Sequence, residues 1–273
     1  MSALVLTLRA PPRQRVDLSS LTPDKLHGVD AAAIATLPLQ CGNRSVALAE
    51  LFTVTSGDPD DLRLVGDCGK FDKVGAEMTR GTITVEGAAG AYLGHAMRAG
   101  RIHVRGSVGI GAAMEMRGGE IAIDGRAGDF LGGARPGEMK GMSGGLVVVR
   151  GDAGDRVGDR MRRGTIIVEG NLGGYAASRM IAGTILALGP TIGPYPGFAM
   201  KRGSLILLSR PDRVLPSFAD CGRHDLAFLR LLLRALKGRS PRLDDLARRP
   251  PLVQRLAGDQ SAGGKGEILL WQE

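Results

Sequence analysis

A short segment rich in glycine and basic residues offers the best candidate for chemistry in this sequence. It spans Gly132–Gly141 and contains Arg135, Gly137 and Lys140. The two cations can attract an anion, and glycines let a loop present backbone N–H groups to a ligand. An insertion that only packs on a neighbour would have the same composition. Arg135, Gly137 and Lys140 are therefore candidate contacts for an anion, a coenzyme or a partner protein.

Histidine and cysteine, which often serve as metal ligands or nucleophiles, are few and scattered. His95 and His103 suggest a bridging metal site, but such a site needs a third histidine. Cys41, Cys68 and Cys221 are far apart and odd in number, so we expect three reduced structural thiols. No nucleophile lies beside a base, and no carboxylates are paired at a suitable spacing. We therefore expect no catalytic residue, no metal and no cofactor bound by this chain alone.

Composition limits the partners that the chain can have. The formal charge is +8 and the isoelectric point is about 9.9, which suggests an anionic partner. Arginines alternate with acidic residues along the repeats, and aromatic residues make up only 4%, too few to stack on bases. This pattern favours an anionic protein or coenzyme over nucleic acid. No apolar run is long enough for a membrane span, and the first 20 residues carry three arginines, so we expect a cytoplasmic protein without membrane contact.

The elements that must position these residues come from one repeated sequence pattern. A methionine is followed three residues later by a glycine, and then by aliphatic residues two and four positions beyond that glycine. The seven pairs are Met78/Gly81, Met97/Gly100, Met116/Gly119, Met142/Gly145, Met161/Gly164, Met180/Gly183 and Met200/Gly203. Successive methionines are 19, 19, 26, 19, 19 and 20 residues apart. A period of this size predicts a stack of repeated units, which we call rungs.

Each rung predicts one short strand. The aliphatic residues alternate with outward positions, as in Ile83/Val85 and Ile102/Val104, and many are β-branched. Equivalent strands run in the same direction, so they pair in parallel, and further glycines suit corners and a second short strand. The predicted fold is mainly β, a single-stranded right-handed parallel β-helix of about 19 residues per rung. Methionine at one corner of each rung predicts packing rather than metal binding.

The flanking segments differ from the repeats. Residues 1–60 predict an α/β N-terminal cap, residues 61–209 the β-helix, and residues 210–273 amphipathic helices and a final strand. Outward positions become aliphatic along the stack, ending with Leu186 and Ile206, and such a patch must be covered. We expect cover from a helix over His224–Lys237, from a second helix within Leu243–Ala257 that is broken by Pro250-Pro251, and from a partner subunit.

The repeat itself resembles that of a known family. The pattern G-x-x-M-x-x-G-x-[IL]-x-[IV]-x-G is present at Gly94–Gly106 and Gly158–Gly170, and Gly75–Gly87 fits it. Together with DLSSLTPDKL, GARPGEMKGMSGG and GGKGEIL, it resembles the C subunit of formylmethanofuran dehydrogenase across most of the chain. The pattern departs from the family at residues 113 and 177, where alanine replaces the first glycine, and at Met139. The C-terminal domain of the glutamate synthase large subunit is similar in its repeats.

The resemblance implies a structural subunit of an enzyme complex. In methanogens, such a complex is a formylmethanofuran dehydrogenase whose metal cofactors belong to other subunits. In methylotrophic bacteria, a similar complex transfers a formyl group from a tetrahydromethanopterin to a methanofuran analogue and hydrolyses it to formate. The implied partners are formyltransferase and amidohydrolase-like subunits, with the methanofuran analogue as coenzyme of the complex. The alternative is a domain organiser of the glutamate synthase type.

Overall fold

The computed structural model describes residues 2–272, and its main element is one large sheet. Its thirteen strands lie in the order β15-β16-β17-β14-β13-β12-β11-β10-β9-β8-β6-β1-β5. They are β1 (Ala3–Leu8), β5 (Phe52–Thr55), β6 (Asp58–Val65), β8 (Thr82–Val85), β9 (Arg101–Val104), β10 (Glu120–Ile123), β11 (Ser143–Val149), β12 (Arg163–Val168), β13 (Thr184–Ala187), β14 (Arg202–Leu207), β15 (Ala219–Asp225), β16 (Leu252–Gly258) and β17 (Lys265–Trp271). Strands β5, β15 and β16 pair antiparallel at the two ends, and the pairs between them are parallel.

A small second sheet and short helices accompany the large sheet. The small sheet contains β2 (Val16–Asp17), β3 (Pro38–Cys41), β4 (Arg44–Ala47) and β7 (Phe71–Asp72). The helices are α1 (Pro23–Leu26), α2 (Ala31–Ala35), α3 (Leu48–Leu51), α4 (Ala227–Ala235) and α5 (Pro241–Leu246), followed by a 3₁₀ turn at Gln260–Ala262. No helix between residues 2 and 272 is long and apolar enough to cross a membrane.

The parallel strands are in the register that the repeat predicts. Ile83 lies opposite Ile102, Ile102 opposite Ile121, and Ile121 opposite Val147. A second column of contacts runs from Cys68 through Ala89 to Ile192 by single parallel bridges. The predicted second strand is thus one bridged residue per rung, because the chain turns again almost immediately after it. The prediction of a mainly β fold with a large parallel sheet is confirmed.

Methionine and glycine recur together because they touch between rungs. All seven repeat methionines are fully buried. The methyl group of Met97 lies 2.7 Å from where a Cβ at Gly119 would be, and that of Met116 lies 2.6 Å from the same point at Gly145. Every repeat glycine after Gly81 therefore leaves room for the methionine of the preceding rung, which agrees with packing as the role of the methionines.

A tight corner precedes each methionine. Before six of the seven methionines, three alternate residues have positive φ, for example Tyr92, Gly94 and Ala96, and the long step before Met142 interrupts this pattern. A Cβ at the middle residue Gly94 would lie 2.4 Å from Cδ1 of Ile121 in the next rung. Alanine occupies this middle position only at Ala113 and Ala177, which keep φ values of 56° and 58°. In the rung that follows Ala113, the position of Ile121 is occupied by Val147, and in the rung that follows Ala177 it is occupied by Leu205. Alanine therefore occurs where the facing residue is not isoleucine.

This pairing predicts a compensating double substitution. Val147→Ile should lower the free energy of unfolding by about 1–3 kcal/mol, because the added methyl group overpacks the core against Ala113. Ala113→Gly in the same chain should restore much of that loss, and urea unfolding of both single variants and the double variant measures the coupling. Val149→Ile serves as the control, since Val149 is equally buried but does not occupy this position. Strictly additive effects of Val147→Ile and Ala113→Gly would contradict the pairing.

The aliphatic outer patch is covered by the C-terminal part of the chain. Val148, Ile167, Leu186 and Ile206 are at most 4% exposed and pack in one cluster. The residues that cover them come from the two C-terminal helices and the last two strands: Leu229, Leu233, Leu236, Leu243, Leu246, Val253, Leu269 and Trp271. The expectation that a partner also covers these four residues is wrong, since the chain already buries them.

Two predicted helical segments are shorter than expected. The helix predicted over His224–Lys237 begins only at Ala227, because the preceding residues form β15 and pair with β16. Within Leu243–Ala257, α5 ends at Leu246, and the residues after Pro250-Pro251 form β16 rather than more helix. Proline cannot donate to a helical ladder, so the pair separates the two elements. The final strand is confirmed as β17, which pairs in parallel with β14.

Candidate functional site

The long step between Met116 and Met142 places a loop over a cavity at the tight corner of the rungs. The cavity has a volume of about 540 Å³. The loop is held on both sides, since the Glu115 N–H donates to Gly133 O and the Gly141 N–H to Arg160 O. The residues that line the cavity come from the loop and from rungs on either side: Tyr92, Ile110, Met114, Phe130, Ala134, Arg135, Pro136, Gly137, Glu138, Met139, Asp159, Arg160 and Arg179.

Arg135 is fixed on one wall of the cavity by Glu115. Its Nε donates to Glu115 Oε1 at 2.9 Å and its Nη2 to Oε2 at 3.3 Å. Burial by itself would raise the pKa of the Glu115 carboxyl, but the hydrogen bonds from Arg135 outweigh burial and hold the pKa below its usual value. The Arg135 guanidinium therefore already has a carboxylate partner, which reduces the charge it can offer to a ligand.

His95 lies on the far side of Glu115. Its Nε2 is 3.6 Å from Glu115 Oε2, and that nitrogen is buried without a hydrogen-bond partner. Burial and the positive charge of Arg135 lower the pKa of the imidazole, against the opposing effect of Glu115. The side chain is thus neutral at pH 7, and a proton added to it would compete with Arg135 for the same carboxylate.

Arg179 is held on the opposite wall by a buried carboxylate. Asp159 is 2% exposed, and it accepts hydrogen bonds from Arg179 Nε at 2.9 Å and from Nη2 at 2.7 Å. Ser178 Oγ adds a third bond to it at 2.7 Å. Such a fork geometry fixes the guanidinium plane and neutralises most of its charge.

Arg160 is the cavity arginine that lacks a carboxylate partner among residues 2–272. Its Nη1 donates to Met139 Sδ at 2.9 Å, and a thioether sulfur is a weak acceptor. Most of its donors therefore face the cavity or solvent. Of the three arginines that line the cavity, Arg160 is the one best able to bind an anion.

An aromatic ladder continues from the cavity along the same corner. Arg156 lies between Phe130 and Tyr175, at 5.8 and 5.2 Å from the two ring centroids. Tyr175 then contacts Tyr195, with ring centroids 5.6 Å apart. Each of these four residues lies three positions after the bridged residue of its rung, so their side chains stack from rung to rung. The corner can hold flat or apolar groups beside an anion.

The structure separates the three residues that the sequence selected. Arg135 and Gly137 line the cavity, whereas Lys140 is exposed and does not line it. Sequence analysis missed Arg160 and Arg179, although both occupy the position immediately before a repeat methionine. Their shared position in the repeat could have identified them, because equivalent residues of successive rungs stack on one side of the molecule.

The other polar candidates do not form a reactive cluster. His103 lies on the sheet, where its Nε2 is 2.9 Å from Asp124 Oδ2, whereas His95 lies at the tight corner. Within residues 2–272, no three His, Cys, Asp or Glu side chains are grouped so that they could hold a metal ion. Cys68 is buried, and burial raises the pKa of its thiol to about 12. The expectation of three structural thiols is wrong for Cys221, which is exposed.

The whole fold matches a chain of known structure. That chain belongs to the crystal structure of the formyltransferase/hydrolase complex FhcABCD from Methylorubrum extorquens in complex with methylofuran, with a TM-score of 0.91 and 39% sequence identity. The match covers 98% of this chain and 100% of the other. Curated C subunits of two kinds of complex are similar as well, so the chain belongs to the family of C subunits of formyltransferase/hydrolase and formylmethanofuran dehydrogenase complexes. Known family models give no match.

Curated relatives in this family are similar over shorter stretches. The C subunit of the Fhc formyltransferase/hydrolase complex of Methylorubrum extorquens is 40% identical over 88 residues, which is 32% of this chain and 33% of the relative. The C subunit of the tungsten-containing formylmethanofuran dehydrogenase 2 of Methanothermobacter wolfeii is 32% identical over 100 residues, or 34% and 37% of the two chains. These alignments span about a third of each curated relative.

Proposed function

We propose that this chain is a non-catalytic structural subunit of a formyltransferase/hydrolase complex in one-carbon metabolism. The observation that carries the proposal is the match over 98% of the chain to a component of the FhcABCD complex. The complex would transfer a formyl group from a tetrahydromethanopterin to a methanofuran analogue and release formate. Its formyltransferase and amidohydrolase-like subunits would supply the catalytic residues, and the cytoplasmic location that the sequence suggests stays a prediction.

The fold supports a role in holding partners apart. We propose that the rungs form a single-stranded right-handed parallel β-helix, since each contributes one sheet strand and one bridged residue in constant order. With strands about 4.8 Å apart, seven rungs make a stack on the order of 30 Å long. A stack joined throughout by parallel pairs resists bending, so it can fix the distance between two enzymes that share a substrate.

The cavity under the long loop suits the anionic part of a coenzyme. Arg160 has donors to spare, Gly137 leaves open space beside the loop, and Tyr92 and Phe130 offer apolar walls. Arg135 and Lys140 add positive charge at its edge and outside it. We propose this region, including Arg135, Gly137 and Lys140, as a contact for the methanofuran analogue or for the partner that holds it.

Co-purification tests the proposed assembly. The tagged chain should bring down formyltransferase and amidohydrolase-like subunits when it is expressed in its own host, and mass spectrometry of the eluate identifies them. Recovery of glutamine-dependent partners instead would favour the glutamate synthase type of domain organiser.

In the purified assembly, Arg160→Glu should reduce the amount of retained coenzyme several-fold. Arg105→Glu, which changes an exposed arginine paired with Glu86, should leave the amount of retained coenzyme unchanged.

A further inference from the structure

A second cavity, away from the long loop, is lined by basic residues. It has a volume of about 540 Å³ and lies where strands β12, β14 and β17 begin. Its five cations are Arg162, Arg163, Lys201, Arg202 and Lys265. The other lining residues are small or aliphatic, and no acidic or aromatic side chain is among them. We call this surface the basic groove.

The cations of the basic groove differ from most arginines on the sheet. Arg101 pairs with Glu120 of the neighbouring strand, and Arg255 pairs in the same way with Glu267. Within residues 2–272, none of the five groove cations lies within 4 Å of a carboxylate oxygen, and all five are exposed. The stack therefore leaves five neighbouring positive charges uncompensated at this corner.

The strand register forces these charges together. Arg202 and Lys265 are direct partners in the pairing of β14 with β17. Thr165 of β12 and Ser204 of β14 both align with Thr184 of β13. Arg163 and Arg202 each lie two residues before these aligned positions, so Arg163 belongs to the same row. Like charges directly opposite each other in a sheet destabilise it. A bound anion would relieve this repulsion, so the arrangement is an independent sign of a ligand.

We propose that the basic groove binds an extended acidic segment of a partner polypeptide. The row from Arg163 to Lys265 crosses three strand spacings, or about 14 Å, which about four residues of extended chain span. Carboxylates on one face of such a segment can reach Arg163, Arg202 and Lys265 in turn. A polynucleotide fits less well, because the groove has no aromatic side chain on which bases could stack. The assignment goes beyond the proposed function and does not depend on which complex the chain joins.

A binding assay with the isolated full chain tests the groove. The probe is a fluorescein-labelled peptide of alternating glutamate and serine, titrated by fluorescence anisotropy at low salt. The triple variant Arg163→Glu, Arg202→Glu, Lys265→Glu should bind it at least about tenfold more weakly, because each lost charge removes a counterion-releasing contact. The matched control is Arg9→Glu, Arg13→Glu, Arg44→Glu, which changes three exposed arginines in the N-terminal region by the same total charge. Its affinity should fall less than about threefold.

A neutral version of the triple variant guards against misfolding. Arg163→Gln, Arg202→Gln, Lys265→Gln should melt at the same temperature as the wild type or higher, since it removes repulsion, and still lose most of the peptide binding. Equal losses of peptide affinity in the groove and control variants would overturn the proposal. Unchanged peptide affinity in the groove variants would overturn it as well. Tighter binding of a single-stranded oligonucleotide of equal charge would also overturn it. The assay needs no other protein of the complex, so its failure would leave the co-purification result unaffected.

Discussion

Gly145→Ala is expected to lower the free energy of unfolding by about 3–5 kcal/mol. Gly145 follows Met142 in the repeat and has a φ of 92°, a conformation that costs an alanine on the order of 1–3 kcal/mol. The new Cβ would also lie 2.8 Å from Gly119 O and 2.6 Å from Met116 Cε. The oxygen belongs to the preceding rung and already accepts the Leu146 N–H, so it cannot move away without disturbing the strand pairing.

The same chain offers a control with the same backbone conformation. Gly137, in the long loop, has a φ of 89°, but a Cβ there would meet no atom within 4 Å. Gly137→Ala should therefore cost only the conformational strain, about 1–3 kcal/mol, without the added cost of the contacts. Urea unfolding followed by circular dichroism measures both variants. Similar losses at the two positions would show that strain alone explains the repeat glycine and that contact with the preceding rung contributes nothing.

The comparison of these glycines shows what the sequence could and could not reveal about the fold. The period and the alternation of Ile83 and Val85 were enough to predict the strands and their register, because identical residues stack when the repeat is constant. The reason for the glycine lies between rungs, in the methyl group of Met116, and no single repeat contains that contact. The left-handed corner at Tyr92 and Ala96 was equally hidden, since neither residue type favours positive φ.

The C-terminal segment was harder to predict for a different reason. Leu229 and Leu233 have clear helical spacing, and α4 forms where they are. The segment Ala219–Asp225 becomes a strand only because β16 lies next to it and offers backbone partners. Tertiary pairing of this kind overrides local preference and leaves little trace in composition.

The long loop was located from the sequence, but the cavity beneath it and its most available cation were not. The length of one step exposed the loop with Arg135 and Gly137, since an insertion into a regular stack must project from it. Which arginine lacks a partner depends on Glu115 and Asp159, which lie 20 residues before Arg135 and Arg179 respectively. Those contacts join successive rungs, so the sequence order alone could not rank the three arginines.

Substitution of the cavity arginines should separate a structural one from a binding one. Arg179→Met is expected to lower the free energy of unfolding by about 2–3 kcal/mol, because it leaves the Asp159 carboxylate, 2% exposed, with Ser178 as its remaining side-chain partner. The Arg179 side chain is 39% exposed, so water offsets part of the larger loss expected for a fully buried pair. Arg160→Met should cost less than about 0.5 kcal/mol, since only the Met139 sulfur loses a donor.

A second substitution tests the cause of the Arg179 effect. If the Asp159 carboxylate without its arginine partner is responsible, Asp159→Asn in the Arg179→Met chain should restore at least about 1 kcal/mol of the free energy of unfolding, because an uncharged amide costs less to bury. Equilibrium unfolding of the three chains at pH 7 measures the recovery. If the double variant is no more stable than Arg179→Met, packing of the arginine side chain is the cause. In that case the Asp159 charge does not contribute to the loss of stability, and Arg179 would be, like Arg160, a cation that can bind an anion in the cavity.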